Sequence, residues 1–222
     1  MTLVGYWPLN EEDGDQALDY SGNENHGTLE GGVTQGVEGI LGTSAYGFDG
    51  SQEVRVEDDH ILRIGDSQGF TYTAWVKTTV TDSTDRYIMI KWDGNEGSYY
   101  LQTEGGEPGA RINGLGSLGS QADNNVTDWA DGEWHFAVCV YNENAGQNFK
   151  MFIDGQLEDS ITGTISGTET SDLDIGHYER DNHFSGSISE IRTYNRALTQ
   201  SEIQYLYSVS QRGLHNTSKK QS

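Results

Sequence analysis

The sequence predicts an all-β chain, a sandwich of two antiparallel sheets closed by one short helix. Three observations carry this reading. The apolar residues, only 33% of the chain, are concentrated in short runs that alternate with polar residues at period two. Gly is abundant at 29 and Pro rare at 2, and many Gly stand in Asn-Gly, Asp-Gly and Ser-Gly pairs, which turn a chain tightly between strands. A length of 222 residues suits one β domain of the larger kind.

Taken in order, Leu3 to Leu9 reads as a first strand, with Pro8 marking an edge or a strand end. Ala17 to Leu29 is a polar loop in which Asp19, Ser21, Asn23 and Asn25 carry oxygen at every second position. That spacing suits a wrapped Ca²⁺, which takes six to eight oxygen ligands, and equally a turn network in which Asp and Asn bond nearby backbone. Tyr46 to Gly50 and Glu53 to Glu57 form the next strand pair, with Val54 and Val56 inward and Glu53, Arg55 and Glu57 outward. In Phe70 to Lys77 the residues Phe70, Tyr72, Ala74 and Val76 share one face. Trp75 lies on the other, either as a sugar-stacking platform or packed under a loop.

Tyr87 to Trp92 and Ser98 to Thr103 make a hairpin around residues 93 to 97, and Gly109 to Asn113 is a shorter strand. The Gly-, Ser- and Asn-rich residues 114 to 132 read as a long loop. Glu133 to Tyr141 is the strongest central strand, and its Cys139 reads as a small buried hydrophobe. Phe149 to Ile153 follows, and Asp154-Gly155 turns the chain back to Leu157. Asp172 to Gly176 leads into a polar, aromatic-bearing loop at 177 to 183. In the closing stretch, residues 183 to 198, Ile188 and Ile191 have opposite parity, so either a bulge intervenes or both faces are covered. Thr199 and Glu202 have the spacing of a capping box, and Ile203, Leu206 and Tyr207 share one face of the helix it starts. The sandwich is placed at 1–208 and a polar, basic tail at 209–222, where Arg212, Lys219 and Lys220 stand without acidic neighbours and composition favours disorder.

Residues 184 to 203 resemble the closing segment of laminin G-like domains of the concanavalin A-like lectin/glucanase superfamily, F-x-G-x-I-D-E-V-R-I-Y-N-R-A-L-S-x-x-E-I, with Ser189 where the family has Asp. The loop at 17 to 28 resembles the family's A-x-D-x-S-G-N-x-N-x-G-T, and Phe70 to Lys77 its F-T-x-x-A-W-V-K. Similar matches occur at Phe48-Asp49-Gly50, at Trp134 to Tyr141 and before Asp154-Gly155. Six motifs in family order cover roughly residues 3 to 207. The resemblance implies a jelly-roll sandwich and favours the metal reading of the 19–25 loop. Where the family draws a second carboxylate from the closing strand, Glu190 or a backbone carbonyl would then substitute.

The formal net charge is −22, with Lys scarce, which suits a surface made for a salty medium. It argues against nucleic acid or an anionic membrane as partner. One cysteine allows no internal disulfide, no apolar run is long enough to span a bilayer, and no secretory leader is expected from the first residues. Glucanases of the superfamily carry an E-x-D-x-x-E strand; Glu11 to Gln16 begins that pattern but ends in Gln, so a glycoside hydrolase is the least favoured class. The reading is a non-catalytic, surface-displayed adhesion module that binds carbohydrate or glycoprotein. It suits a virion surface component of a virus of a salt-loving host, assembled as a homo-oligomer or within a larger particle. The alternative is a free-standing extracellular carbohydrate-binding protein of a halophile. Sugar C–H faces stack on aromatic rings while polar neighbours fix hydroxyls. The candidates are Tyr87, Trp92, Asp93, Asn95, Tyr99, Tyr100, Tyr178, Arg180, Asp181 and His183. His177 and His183 flank one loop and could share a ligand.

Overall fold

A computed structural model describes residues 2–64, 68–93, 98–119, 128–165, 167, 169–177 and 183–217. In chain order its strands are β1 (Leu3–Trp7), β2 (Gln16–Ala17), β3 (Gly27–Glu30), β4 (Thr34–Glu38), β5 (Ser44–Asp49) and β6 (Glu53–Val56). Next come β7 (Gly69–Lys77), β8 (Arg86–Lys91), β9 (Tyr99–Glu104), β10 (Glu107–Ile112) and β11 (Gly116–Gly119). The last are β12 (His135–Asn142), β13 (Phe149–Ile153), β14 (Gln156–Ile161), β15 (Leu173–Ile175) and β16 (Ser185–Tyr194), followed by α1 (Gln200–Thr217). They form two eight-stranded antiparallel sheets. The first has the order β14-β13-β12-β7-β16-β5-β4, with β1 also on β16; the second has the order β11-β10-β9-β8-β15-β6-β3-β2.

Period-two alternation puts one face of each sheet into a shared core. Phe70, Tyr72, Ala74, Val76, Ala137 and Cys139 enter from the first sheet; Val54, Val56, Met89, Tyr99, Leu101 and Ile112 enter from the second. Burial pushes the Cys139 thiol up to about 12, so it packs as a hydrophobe and is no nucleophile at neutral pH.

The parity conflict in the closing strand is resolved by a bulge. The β16–β7 register shifts between Ser189 and Arg192, and Glu190 takes a positive φ of 56°, so Ile188 and Ile191 both reach the core. The bulge also divides the strand between partners. Residues 185–188 pair with β5, and residues 191–194 pair with β1.

The outer face of the first sheet is covered by α1. Thr199 Oγ1 accepts the Glu202 N–H (3.3 Å), and the Glu202 carboxylate accepts the Thr199 N–H (2.8 Å), which closes the capping box. Ile203 is buried, and Tyr207 stacks on Trp75, their centroids 5.8 Å apart. Trp75 is thus buried, and its cover is a helix rather than a loop. The helical backbone continues to Thr217, through much of the segment expected as a tail. No helix among the described residues is long and apolar enough to cross a membrane.

Candidate functional site

The face of the second sheet turned away from the core carries the chemistry. On β9, Tyr99 and Leu101 point inward, which turns Tyr100 and Gln102 outward. On β10, Ala110 and Ile112 point inward and Arg111 outward. The antiparallel registers then set one row across five strands: Arg111 beside Tyr100, Tyr100 beside Ile90, Ile90 beside Asp174, and Asp174 beside Arg55.

The aromatic end of the row is a small cluster. Tyr87 and Tyr100 meet edge to face at 5.1 Å, and Trp92 tilts onto Tyr100 at 5.5 Å. Tyr87 and Tyr100 keep only 8% and 5% of their surface, whereas Trp92 is half-buried, so the tyrosines back the tryptophan. The Arg111 guanidinium lies 5.7 Å from the centroid of the Trp92 ring and faces the Tyr100 hydroxyl. Burial pushes that phenol up to about 12 although Arg111 pulls it down, so Tyr100 is a neutral hydroxyl here.

The charged end lies on β6 and β15. Arg55 pairs with Glu53 (2.6 Å) and Asp174 (3.2 Å), and Glu53 also pairs with His177. The rings of His177 and His183 lie 4.1 Å apart, so the two histidines that flank the loop do meet. His183 also bridges to the backbone of Tyr87, and its carbonyl accepts Arg86 Nη1 (2.9 Å). Burial raises the Glu53 carboxyl, opposed by His177 and Arg55, and burial likewise raises Asp174 against Arg55.

Of the residues expected to bind ligand, Tyr87, Trp92, Tyr100 and His183 gather on this face. Tyr99 does not. It faces the core and donates its hydroxyl to the Leu62 carbonyl (3.0 Å), because adjacent residues of a strand take opposite faces. Asp93 accepts the Ser98 hydroxyl (2.9 Å) and the Thr170 N–H (3.1 Å), so it ties the hairpin to the segment before β15. Asn95, Tyr178, Arg180 and Asp181 lie outside the described residues. Arg111, Glu53 and Asp174 were missed. Alternation in Gly109 to Asn113 placed Arg111 opposite Ala110 and Ile112, but nothing in sequence placed it beside Trp92.

The oxygen-rich loop is elsewhere. Asp19 Oδ1 accepts the N–H groups of Tyr6 (2.9 Å) and Ser21 (2.8 Å), and Oδ2 accepts the Ser21 hydroxyl (2.8 Å) and the Asn25 N–H (3.1 Å). Asn23 turns its amide N–H to the Val4 carbonyl (3.1 Å), and the Asn25 carbonyl accepts Trp7 Nε1 (2.7 Å). Glu190 accepts the Tyr6 hydroxyl (3.1 Å) and pairs with Arg192. A Ca²⁺ needs its oxygens aimed at one point; here both carboxylate oxygens of Asp19 and the Glu190 carboxylate are taken up by N–H and O–H donors, the arrangement of a turn network rather than of a cage around an ion. Among the described residues no three His, Cys, Asp or Glu side chains are placed to hold a metal. Asp19→Ala is therefore expected to cost about 2 kcal/mol whether calcium or chelator is present. Calorimetry in both buffers checks this, and a loss confined to calcium would restore the metal.

Residues 48–204 match the family model of the concanavalin A-like lectin/glucanase superfamily. The chain belongs to that superfamily. No curated protein sequence matches it. Among solved structures sharing this lectin-like fold is domain 4 of AbnA, an extracellular arabinanase of Geobacillus stearothermophilus, in complex with arabinotriose. It has a TM-score of 0.67 at 18% identity over 92% of this chain and 98% of that one. The binding domain of Paraclostridial Mosquitocidal Protein 1 has a TM-score of 0.69 at 16% identity, over 93% and 52% of the two chains. A botulinum neurotoxin type C structure, whose cell entry depends on interaction with two ganglioside molecules, has 0.69 at 16%, over 94% and 51%. The chain spans about half the length of these toxin domains and nearly all of the arabinanase domain. At these identities the likeness is one of fold.

Proposed function

We propose that this chain is a non-catalytic carbohydrate-binding module that reads glycans with the outward face of its second sheet. The observation that carries this is the half-buried Trp92 ring, backed by Tyr100 and Tyr87 and flanked by Arg111. A backed, partly exposed indole offers a rigid apolar face to the C–H side of a sugar at little entropic cost. Asp174, Glu53 and His177 supply acceptors and donors for hydroxyls along the same face. The fold supports the reading through neighbours that include a domain in complex with arabinotriose and receptor binding domains of botulinum neurotoxins.

The module works outside the cell, as the adhesive or decorating surface of a particle whose host lives in salt. A formal charge of −22 supports that setting, since such a surface repels itself at low salt and is relaxed by screening. Copies assemble on that surface and hold glycans together, which turns weak single contacts into firm attachment.

Trp92→Ala tests the site. Removing the ring should weaken glycan binding roughly tenfold while circular dichroism and melting stay near wild type. Binding is read by glycan array followed by titration calorimetry. Undiminished retention by the folded variant would refute the site.

A further inference from the structure

We propose that the site is selective for an acidic sugar, whose carboxylate is received by Arg111; this rests on the carbohydrate reading above. The strands of the second sheet carry four cationic side chains, Arg55, Arg86, Lys91 and Arg111. Three are neutralised in place. Arg55 pairs with Glu53 and Asp174, Arg86 with Asp82, and Lys91 with Asp58. Arg111 is not: among the described residues no carboxylate pairs with it, and its Nε is buried without a hydrogen-bond partner. In a chain with 35 acidic residues and 13 Lys plus Arg, carboxylates are the commonest charged neighbour, so a guanidinium left without one is a conspicuous exception.

Its position makes that exception useful. Arg111 lies over part of the Trp92 ring and against the Tyr100 hydroxyl, opposite Tyr100 in register, with β9 between it and Ile90. A sugar docking against the exposed part of the Trp92 ring, beside the guanidinium that covers the rest, brings a ring carboxylate within reach of the Arg111 fork, which binds carboxylates with two parallel N–H donors. The negative field of the rest of the molecule does not forbid this, because at 0.1 M salt charges beyond about 10 Å are largely screened.

The same carboxylate chemistry occurs in sialic acids and in uronic acids. Titration calorimetry with sialyllactose against lactose, and with trigalacturonate against galactotriose, therefore separates the sources. Binding of either acidic probe at least about tenfold tighter than its neutral counterpart is expected. Arg111→Gln should erase that difference, weakening the acidic probe at least about tenfold more than its neutral counterpart. Arg111→Lys, which keeps the charge but loses the fork, should fall between. Neutral probes bound as tightly as acidic ones, or an equal loss of both in Arg111→Gln, would overturn the assignment and leave the carbohydrate reading standing. Absence of binding by every probe in the folded protein would overturn both.

Discussion

Trp75→Ala is expected to cost about 3–5 kcal/mol, the range for truncating a fully buried indole. Trp75 sits between two elements. It stacks on Phe136 of the neighbouring strand at 5.1 Å and on Tyr207 of α1 at 5.8 Å. Phe136, Val138, Phe152, Tyr194, Leu198 and Ile203 complete the layer beneath the helix. The void would therefore open at the junction of sheet and helix, where neither neighbour can close it alone. The melting temperature should fall by roughly 10 °C, and protease should cut α1 before the sandwich. Urea denaturation with limited proteolysis measures both. A loss under about 1 kcal/mol, or intact protection of α1, would show that the capping box and the Arg196–Glu202 pair hold the helix without the aromatic stack.

The second large effect lies in the ionic cluster under β8. Lys91 is fully buried; its ammonium donates to Asp58 Oδ1 (2.5 Å) and to the Ser171 carbonyl, and Glu169 lies 3.7 Å away. Asp58 also holds Arg63. Burial pushes the Asp58 carboxyl up, but Arg63 and Lys91 outweigh it and keep it below the usual range. Asp58→Asn leaves a buried ammonium without its carboxylate, at a cost of about 3–5 kcal/mol. Glu169 gives the cluster a pH signature. Burial, against the pull of Lys91, raises its carboxyl from the ordinary 4.5 to about 8. The native state then holds a proton that the unfolded chain releases, so this contribution is fully present below pH 4.5 and is lost as the pH climbs to about 8. Glu169→Gln keeps the neutral form and should remove that decline. Denaturation curves at pH 5 and above pH 8 test it, and an unchanged difference between them in the variant would place the proton elsewhere.

Much of this architecture was legible because it rests on parity and local chemistry. The mismatch of Ile188 and Ile191 left a bulge or cover on both faces as the alternatives, and the bulge formed; Thr199 with Glu202 foretold the helix start. Tyr99 was misassigned for a reason that parity itself could have supplied, since Tyr99 and Tyr100 cannot share a face. The spacing at 19–25 fixes which residues bear oxygen but not which way their lone pairs point, and those of Asp19 point at N–H and O–H groups. The site was the least legible part. Arg111, Tyr100, Asp174 and Arg55 are brought into one row by registers between strands far apart in sequence, and no local pattern encodes that.

The partition of β16 between β5 and β1 has a consequence for how the protein is made. Its two halves cement the earliest strand of the chain and β5 to β7, so the centre of the first sheet cannot be assembled until residues 185–194 have left the ribosome. Until then β7 and β5 each present an open hydrogen-bonding edge beside apolar side chains, the state most prone to pair with another chain. Contacts of such long sequence separation also make folding slow. Slow translation and low temperature should therefore favour recovery of the native sandwich over aggregates, and a truncation before β16 should yield insoluble protein rather than a smaller domain.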